Sequence, residues 1–428
     1  MNRTDTTYKT YIDILKKELI PAMGCTEPIA VAYCAALARK TLGSTPDKVE
    51  IEVSGSIVKN VKSVIVPNTN GMKGIEVAAC VGILAGDPDK GLEVISYVSD
   101  EAKTRLPIYI SNTNISVAAI ETEYLLDIIV TVHSNSDYAK VRINGNHTHI
   151  SLISRNDEIL LEDIMSIDSE AESDISCNYD DMSIKDIFDF AETVEIDDIR
   201  ELIKLQIDYN QAISEEGLKK NYGANIGKIL LSAYPNDIKQ KAKAAAAAGS
   251  DARMSGCELP VVINSGSGNQ GLTVSLPLLQ YAREYNCPEE KLYRGLVLSN
   301  LIAIHEKHGI GCLSAYCGAV SAGAAAGCGI AYILGGDYKT ITHTLVNALA
   351  ITSGIICDGA KPSCAAKIAS SIDAGILGYE MYMKGQQFTG GDGIVAKGVE
   401  NTLHNVARLG YYGMKETNNE IIKIMTNQ

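Results

Sequence analysis

The chain has 428 residues, 46% hydrophobic and 21% charged, which excludes a disordered or fibrous protein and allows two or three domains. Its formal net charge of −14 leaves no basic footprint for a phosphate backbone and argues against nucleic-acid binding. Against that field an anionic ligand needs a local positive patch or a backbone anion site.

The first twenty residues carry charges throughout and lack the apolar stretch of a secretory signal. The eleven cysteines, an odd number, then fit a reducing cytoplasm without disulfides. Ile12, Leu15 and Leu19 share one face of a helix predicted over 8–20. Pro21-Ala22-Met23-Gly24-Cys25-Thr26-Glu27-Pro28 breaks it. A second helix then runs from Ile29 to about Thr41, with Thr26 as its cap and Pro28 in its first turn.

Alternation predicts strands over 51–57, 124–132, 139–143 and 147–153, with Asn144-Gly145-Asn146 as a hairpin turn. Residues 74–84 and 91–104 read as helices. An acidic, polar stretch over 165–185 reads as a linker, and almost everything after it reads as Ala- and Gly-rich helix. The expected fold class is therefore α+β: a mainly helical catalytic domain over 185–428 and a smaller α+β domain over 46–165. The N-terminal helices of 1–45 are expected to pack on the helical domain.

Residues 309–336 hold 28 positions without a charge, more than the ~20 that cross a bilayer. Eight Gly and seven Ala against six Ile, Leu or Val make this buried helix and loop rather than a membrane span. No membrane partner is expected.

Five of the eleven cysteines fall between 312 and 364. Cys317, Cys357 and Cys364 each lie at or beside a glycine-rich break in apolar surroundings. The spacing is not that of a zinc knuckle, which wants close pairs of ligands. Three thiolates from three breaks suit an iron–sulfur cube with one iron left open, a Lewis acid for a substrate heteroatom. From spacing alone, packing thiols outweigh ligands by roughly two to one, because free cysteine is so often buried. Cys34, Cys312 and Cys328 read as packing residues.

Cys25 directly precedes a helix start, where backbone amides favour a thiolate, so it is a candidate base or nucleophile; a packing role fits the local sequence equally. Ser265, Gly266, Ser267, Gly268, Asn269 and Gln270 follow an apolar run and precede a helix expected near Leu272. Successive amides in such a loop form an anion nest suited to a small carboxylate. The spacing is not that of a dinucleotide fingerprint. His305 leads toward the Cys317 segment as a candidate pocket residue, with a plain polar helix end as the blander reading. Lys361 and Lys367 flank Cys364 and offer local positive charge. Residues 388–393 form a second glycine loop without an assigned role.

Met23-Gly24-Cys25-Thr26-Glu27-Pro28, the 265–271 loop, Tyr316-Cys317-Gly318 and the Cys357-Asp358-Gly359 run through Cys364 resemble the L-cysteine desulfidase family. That family is related to the α chain of iron–sulfur L-serine dehydratases, and the resemblance covers essentially the whole chain. It implies a pyridoxal-independent lyase converting L-cysteine to pyruvate, ammonia and sulfide. Cys317, Cys357 and Cys364 would hold a 4Fe-4S cluster, and Cys25 would be the catalytic base. The substrate carboxylate would sit at the 265–271 loop. Departures from the dehydratase pattern at that loop and at the last cysteines favour the desulfidase branch. An L-serine ammonia-lyase and a non-catalytic iron–sulfur protein that binds a small amino acid stay open, and a homodimer fits an exposed apolar helix face.

Overall fold

The computed structural model describes residues 1–163, 179–311 and 313–426. Most of the expected 165–185 linker lies outside them, as do Cys177 and Cys312.

The first helix, α1, spans Thr6–Glu18 and leads into a short strand, β1 (Pro21–Met23). Helix α2 covers Thr26–Leu42. Strand β2 (Lys48–Ser54) runs directly into helix α3 (Gly55–Val61), because the Ser54 hydroxyl accepts the Ile57 amide at 3.4 Å. The strand expected to reach Ile57 therefore stops early. Helix α4 is Ile75–Ala85 and α5 is Asp100–Asn112. The helix expected over 91–104 is displaced: Gly91 takes a φ of 52° and ends a short turn of helix, and Ser99 caps the true start through the Ala102 amide.

Strands β3 (Asn114–Ile120), β4 (Asp127–Ser134), β5 (Asp137–Asn144), β6 (Ile150–Arg155) and β7 (Glu158–Glu162) complete a six-stranded sheet in the order β3-β2-β4-β5-β6-β7. Only β2 and β3 run parallel. The two edge strands, β3 and β7, escape the sequence reading because neither buries one clean face. Helix α2 lies on β4 and β5, and α4 packs against α2.

The rest is helical: α6 (Ile184–Thr193), α7 (Ile196–Lys219), α8 (Ile226–Ala233) and α9 (Ile238–Met254), then strand β8 (Pro260–Val262). Helices α10 (Gly268–Glu284), α11 (Glu289–Ile310), α12 (Gly318–Ile333), α13 (Tyr338–Thr352), α14 (Cys364–Met383), α15 (Val399–Arg408) and α16 (Lys415–Thr426) follow. The class is α+β, as expected. Helix α1 packs on α7 and α11, whereas α2, expected on the helical domain with it, lies on the sheet.

The uncharged 309–336 stretch supplies α12, which packs against α10, α11, α13 and α14. Its glycines serve contact rather than flexibility: a Cβ on Gly327 would lie 2.5 Å from the Gly375 carbonyl oxygen of α14. The two backbones touch, so α12 and α14 form a rigid pair. Among the described residues no helix is long and apolar enough to cross a membrane.

Candidate functional site

An isolated antiparallel bridge joins Tyr316 to Ile356. Across it the Cys317 amide donates to the Ile355 carbonyl at 3.1 Å and the Cys357 amide to the Ala315 carbonyl at 2.6 Å. Cys317 caps α12 and Cys364 opens α14. The bridge and the α12–α14 contact thus bring Cys317 to Cys357 and Cys364, which lie 40 and 47 residues further along the chain.

The Cys317 and Cys357 thiols hydrogen-bond to each other, which pulls Cys357 well below the ordinary thiol range and pushes Cys317 above it. The pair gives up one proton readily and holds the other. Cys364 lies near enough to feel Cys357, though burial dominates and raises it. Behind Cys357 stands Lys59 of α3, 1% exposed, donating to the Asn418 side-chain oxygen at 2.6 Å and to the Cys357 carbonyl at 3.5 Å. Burial pushes its ammonium down, against the pull of Cys357 and Glu27. Lys361 and Lys367 are both engaged by Asp358, and Lys367 also donates to the Ile356 carbonyl at 2.8 Å, so they brace the loop that carries Cys357. Burial would raise the Asp358 carboxyl, but the two lysines hold it below its usual range.

The N-terminal motif reaches this cluster because β1 pairs with β8, Pro21 facing Val262. Thr26 then donates its hydroxyl to the Gly266 carbonyl at 2.9 Å. Cys25, not Thr26, is the cap residue of α2, and its thiol is enclosed with Val64 and Met254, Cys364 packing against the group. The helix start was expected to favour a thiolate. Burial overrides it and pushes the thiol up, with Glu27 and Cys364 adding to the rise and Arg253 only partly offsetting it.

Helix α10 begins at Gly268, four residues before the expected Leu272, so Gly268, Asn269 and Gln270 form its first turn. Ser265 and Gly266 take φ values of 48° and 73°, which turns the chain back so that the Ser267 amide reaches the Asn264 carbonyl at 3.0 Å. A Cβ on Gly318 would meet the Gln270 amide at 2.7–3.0 Å, which links this loop to the start of α12. Two residues without a signal in the loop's own sequence, Arg253 and His147, also stand against it. A Cβ on Gly268 would meet Arg253 Nε at 2.3 Å, and one on Gly266 would meet His147 Cε1 at 3.2 Å. His147 Nε2 is 3.9 Å from Glu27 Oε1, which accepts from Asn60 at 3.2 Å. Burial would raise Glu27, but His147 and Arg253 hold it low.

Buried polar atoms without a hydrogen-bond partner converge here: Arg253 Nε, His147 Nε2, Asn269 Oδ1 and Gln270 Oε1. Buried polar groups are normally satisfied, so such a concentration marks a place built for something else. Single charges inside apolar helical runs, Lys59 among Ile57, Val58 and Val61 and Arg253 after the alanines of α9, are the signal that would have found two of the missed residues.

His305 does not join the site. Its Nε2 lies 3.0 Å from Glu400 Oε2, and the other Glu400 oxygen accepts the Ile184 amide at 2.7 Å, so His305 clasps α11, α15 and α6. Its neighbours Lys307 and His308 instead line a cavity of about 910 Å³ that reaches Ser265, Gly266 and His147. In the 388–393 loop, Asp392 accepts the Thr389 amide at 2.7 Å and closes the turn on itself.

A family model described as the serine dehydratase alpha chain matches residues 89–423. The chain belongs to the serine dehydratase α-chain family. It is 57% identical over 430 residues to a UPF0597 protein of Desulfitobacterium hafniense strain Y51, covering 100% of this chain and 99% of that one. UPF0597 proteins of Lachnoclostridium phytofermentans and Treponema denticola are 47% and 46% identical, over 98% and 99% of this chain and 100% and 99% of theirs. Those names state no reaction. Serine dehydratase α chains are lyases that in general depend on an iron–sulfur cluster. Among the described residues no three His, Cys, Asp or Glu groups surround a single metal ion. A cube is held differently, one thiolate per iron corner, and the donor set of Cys317, Cys357 and Cys364 suits it.

Proposed function

We propose that the chain is a pyridoxal-independent lyase that eliminates sulfide from L-cysteine, with Cys317, Cys357 and Cys364 holding a 4Fe-4S cluster. The observation that carries the reading is the meeting of these three thiols, from three separate breaks, beside Cys25 and the 265–271 loop. When bound, the cluster supplies an iron without a protein ligand, a Lewis acid that makes the substrate sulfur a better leaving group.

The residues of the chain do the rest. The first turn of α10 holds the amino acid, and Cys25 Sγ takes its α-proton. Because burial keeps the resting Cys25 thiol protonated, it needs an acceptor first, and the neighbouring Glu27 carboxylate, held ionised, is that group. Loss of the α-proton and of sulfide leaves aminoacrylate, which tautomerises to the imine and takes up water to give pyruvate and ammonia. The free thiols of all nine cysteines among the described residues fit a cytoplasmic enzyme.

The family match favours a second reading, elimination of water from L-serine by the same groups. Anaerobic reconstitution with iron and sulfide, followed by assay of pyruvate and sulfide, separates the two. Turnover of L-cysteine well above that of L-serine is expected. Pyruvate from L-serine without sulfide from L-cysteine overturns the first reading, and no pyruvate from either overturns the assignment as a lyase in favour of an iron–sulfur protein that binds an amino acid.

A further inference from the structure

Arg253, in the last turn of α9, is 2% exposed. No hydrogen bond or ion pair engages it among the described residues, and its Nε is enclosed without a partner. A buried guanidinium with no group in hydrogen-bonding contact is costly, so a fold that keeps one normally brings it an anion. Its acidic neighbours do not serve. Cys25 stays protonated. Glu27 acts on the guanidinium only through space, without a hydrogen bond or ion-pair contact, and already accepts from Asn60.

The guanidinium lies against the first turn of α10. The amides of a first helical turn have no intrahelical acceptor, and the dipole there favours negative charge. The first amide beyond that turn to find one is Gly271, which reaches the Ser267 carbonyl at 3.1 Å. Any side chain at Gly268 would strike the guanidinium, so glycine at that position is what lets Arg253 stand against the amides. On the same turn, Asn269 Oδ1 and Gln270 Oε1 are buried acceptors without donors. Arg253 and the backbone amides thus offer donors for an anion, and Asn269 and Gln270 offer acceptors for a cation.

We propose that Arg253 anchors the α-carboxylate of the substrate, forked onto the guanidinium beside the α10 amides, while Asn269 and Gln270 accept from its α-ammonium. The site selects a zwitterionic α-amino acid by its main-chain groups and leaves the β-substituent to face the cysteines. This rests on the lyase reading only in taking the ligand to be an amino acid. A planar guanidinium meets both carboxylate oxygens at once, which an ammonium does not.

The test uses the anaerobically reconstituted full chain and probes without a leaving group. L-Alanine carries both charged groups, ethylamine lacks the carboxylate and propionate lacks the ammonium. Calorimetry is expected to show L-alanine binding with the other two at least roughly tenfold weaker. Arg253→Met is expected to weaken L-alanine roughly 10- to 100-fold, with Arg253→Lys between them. The melting temperature of Arg253→Met without ligand should hold or rise, because an unpaired buried charge has gone. Ethylamine binding as tightly as L-alanine to the wild-type protein, no L-alanine binding at all, or undiminished L-alanine binding to Arg253→Met each overturns the proposal. So does a lowered melting temperature in both variants with L-alanine affinity intact in Arg253→Lys. Failure to release sulfide from L-cysteine defeats the desulfidase reading and leaves these binding ratios as they are.

Discussion

Cysteines occupy two kinds of place in this molecule, and the contrast shows what turns a thiol to use. Cys34 and Cys328 lie in the middle of α2 and α12 among apolar side chains. They give their S–H groups to carbonyls, Cys34 to Val141 at 3.4 Å and Cys328 to Ile341 at 3.6 Å. Cys25, Cys317 and Cys364 stand at helix starts, and Cys357 lies in the loop between α13 and α14. Burial alone does not divide them, since Cys25 and Cys317 are buried like Cys34 and Cys328, while Cys357 and Cys364 are half-buried. The difference is company: Lys59 beside Cys357, Arg253 beside Cys25, and a second thiol within hydrogen-bonding reach. The interior thiols are neutral packing groups, and the others form a charged, partly unsatisfied pocket.

The largest expected effect tests that division directly. Cys317→Ala, Cys357→Ala and Cys364→Ala should each lose bound iron and turnover together, against about four irons per chain in the wild type. Cys328→Ala should keep both. Iron analysis after anaerobic reconstitution decides it, and iron loss in Cys328→Ala would erase the boundary. Next, Cys25→Ala should retain the iron and lose turnover by at least roughly 100-fold. If it loses iron as well, Cys25 belongs with the ligands.

A third effect probes how the rigid helix pair sets the pocket. A Cβ on Gly375 would lie 2.3 Å from the Gly323 carbonyl oxygen. Gly375→Ala should therefore cost about 1–3 kcal/mol in urea unfolding and lower iron occupancy, because the starts of α12 and α14 move apart. Unchanged occupancy would show that the bridge between Tyr316 and Ile356 holds the cysteines alone.

The smallest effect lies in the interior. Glu306 of α11 is enclosed near Ser321 and Cys328, neither carboxyl oxygen has a partner, and burial raises the group well above the carboxylate range. The native state keeps a proton that the unfolded chain releases. The stability this gives is complete below the ordinary carboxyl range and is lost as pH rises toward the raised value. Glu306→Gln, neutral at every pH, should match the wild type in acid and exceed it at neutral pH by about 1–3 kcal/mol. Parallel unfolding curves against pH would refute the neutral-interior picture.

How far the chain could be read in advance follows the range of the interactions. The helices near 8–20 and 74–84 and the turn at Asn144-Gly145-Asn146 were legible because their signals are local. The pattern misleads where a single residue outweighs it: Ser54 caps a helix inside a stretch that alternates like a strand, and Ser99 moves the start of a helix expected from residue 91. It fails for β3 because this edge strand alternates only between exposed and half-buried residues and buries no face fully. At the site, the cysteines and the 265–271 loop announce themselves by their glycines. His147 and Asn60 do not, since nothing near them in sequence says which loop they will face.

By itself the sequence settles the residue types that this pocket has to work with: thiols at breaks, a glycine loop before a helix, and lone cations in apolar runs. Local backbone preference and composition are enough for that. The tertiary structure alone decides that α2 lies on the sheet while Cys25 reaches the helical domain, that His305 is spent on Glu400, and that the Cys25 thiol stays protonated despite its helix start. Those outcomes depend on which distant groups exclude water and which charges then face each other, and in a chain of 428 residues only long-range packing determines that.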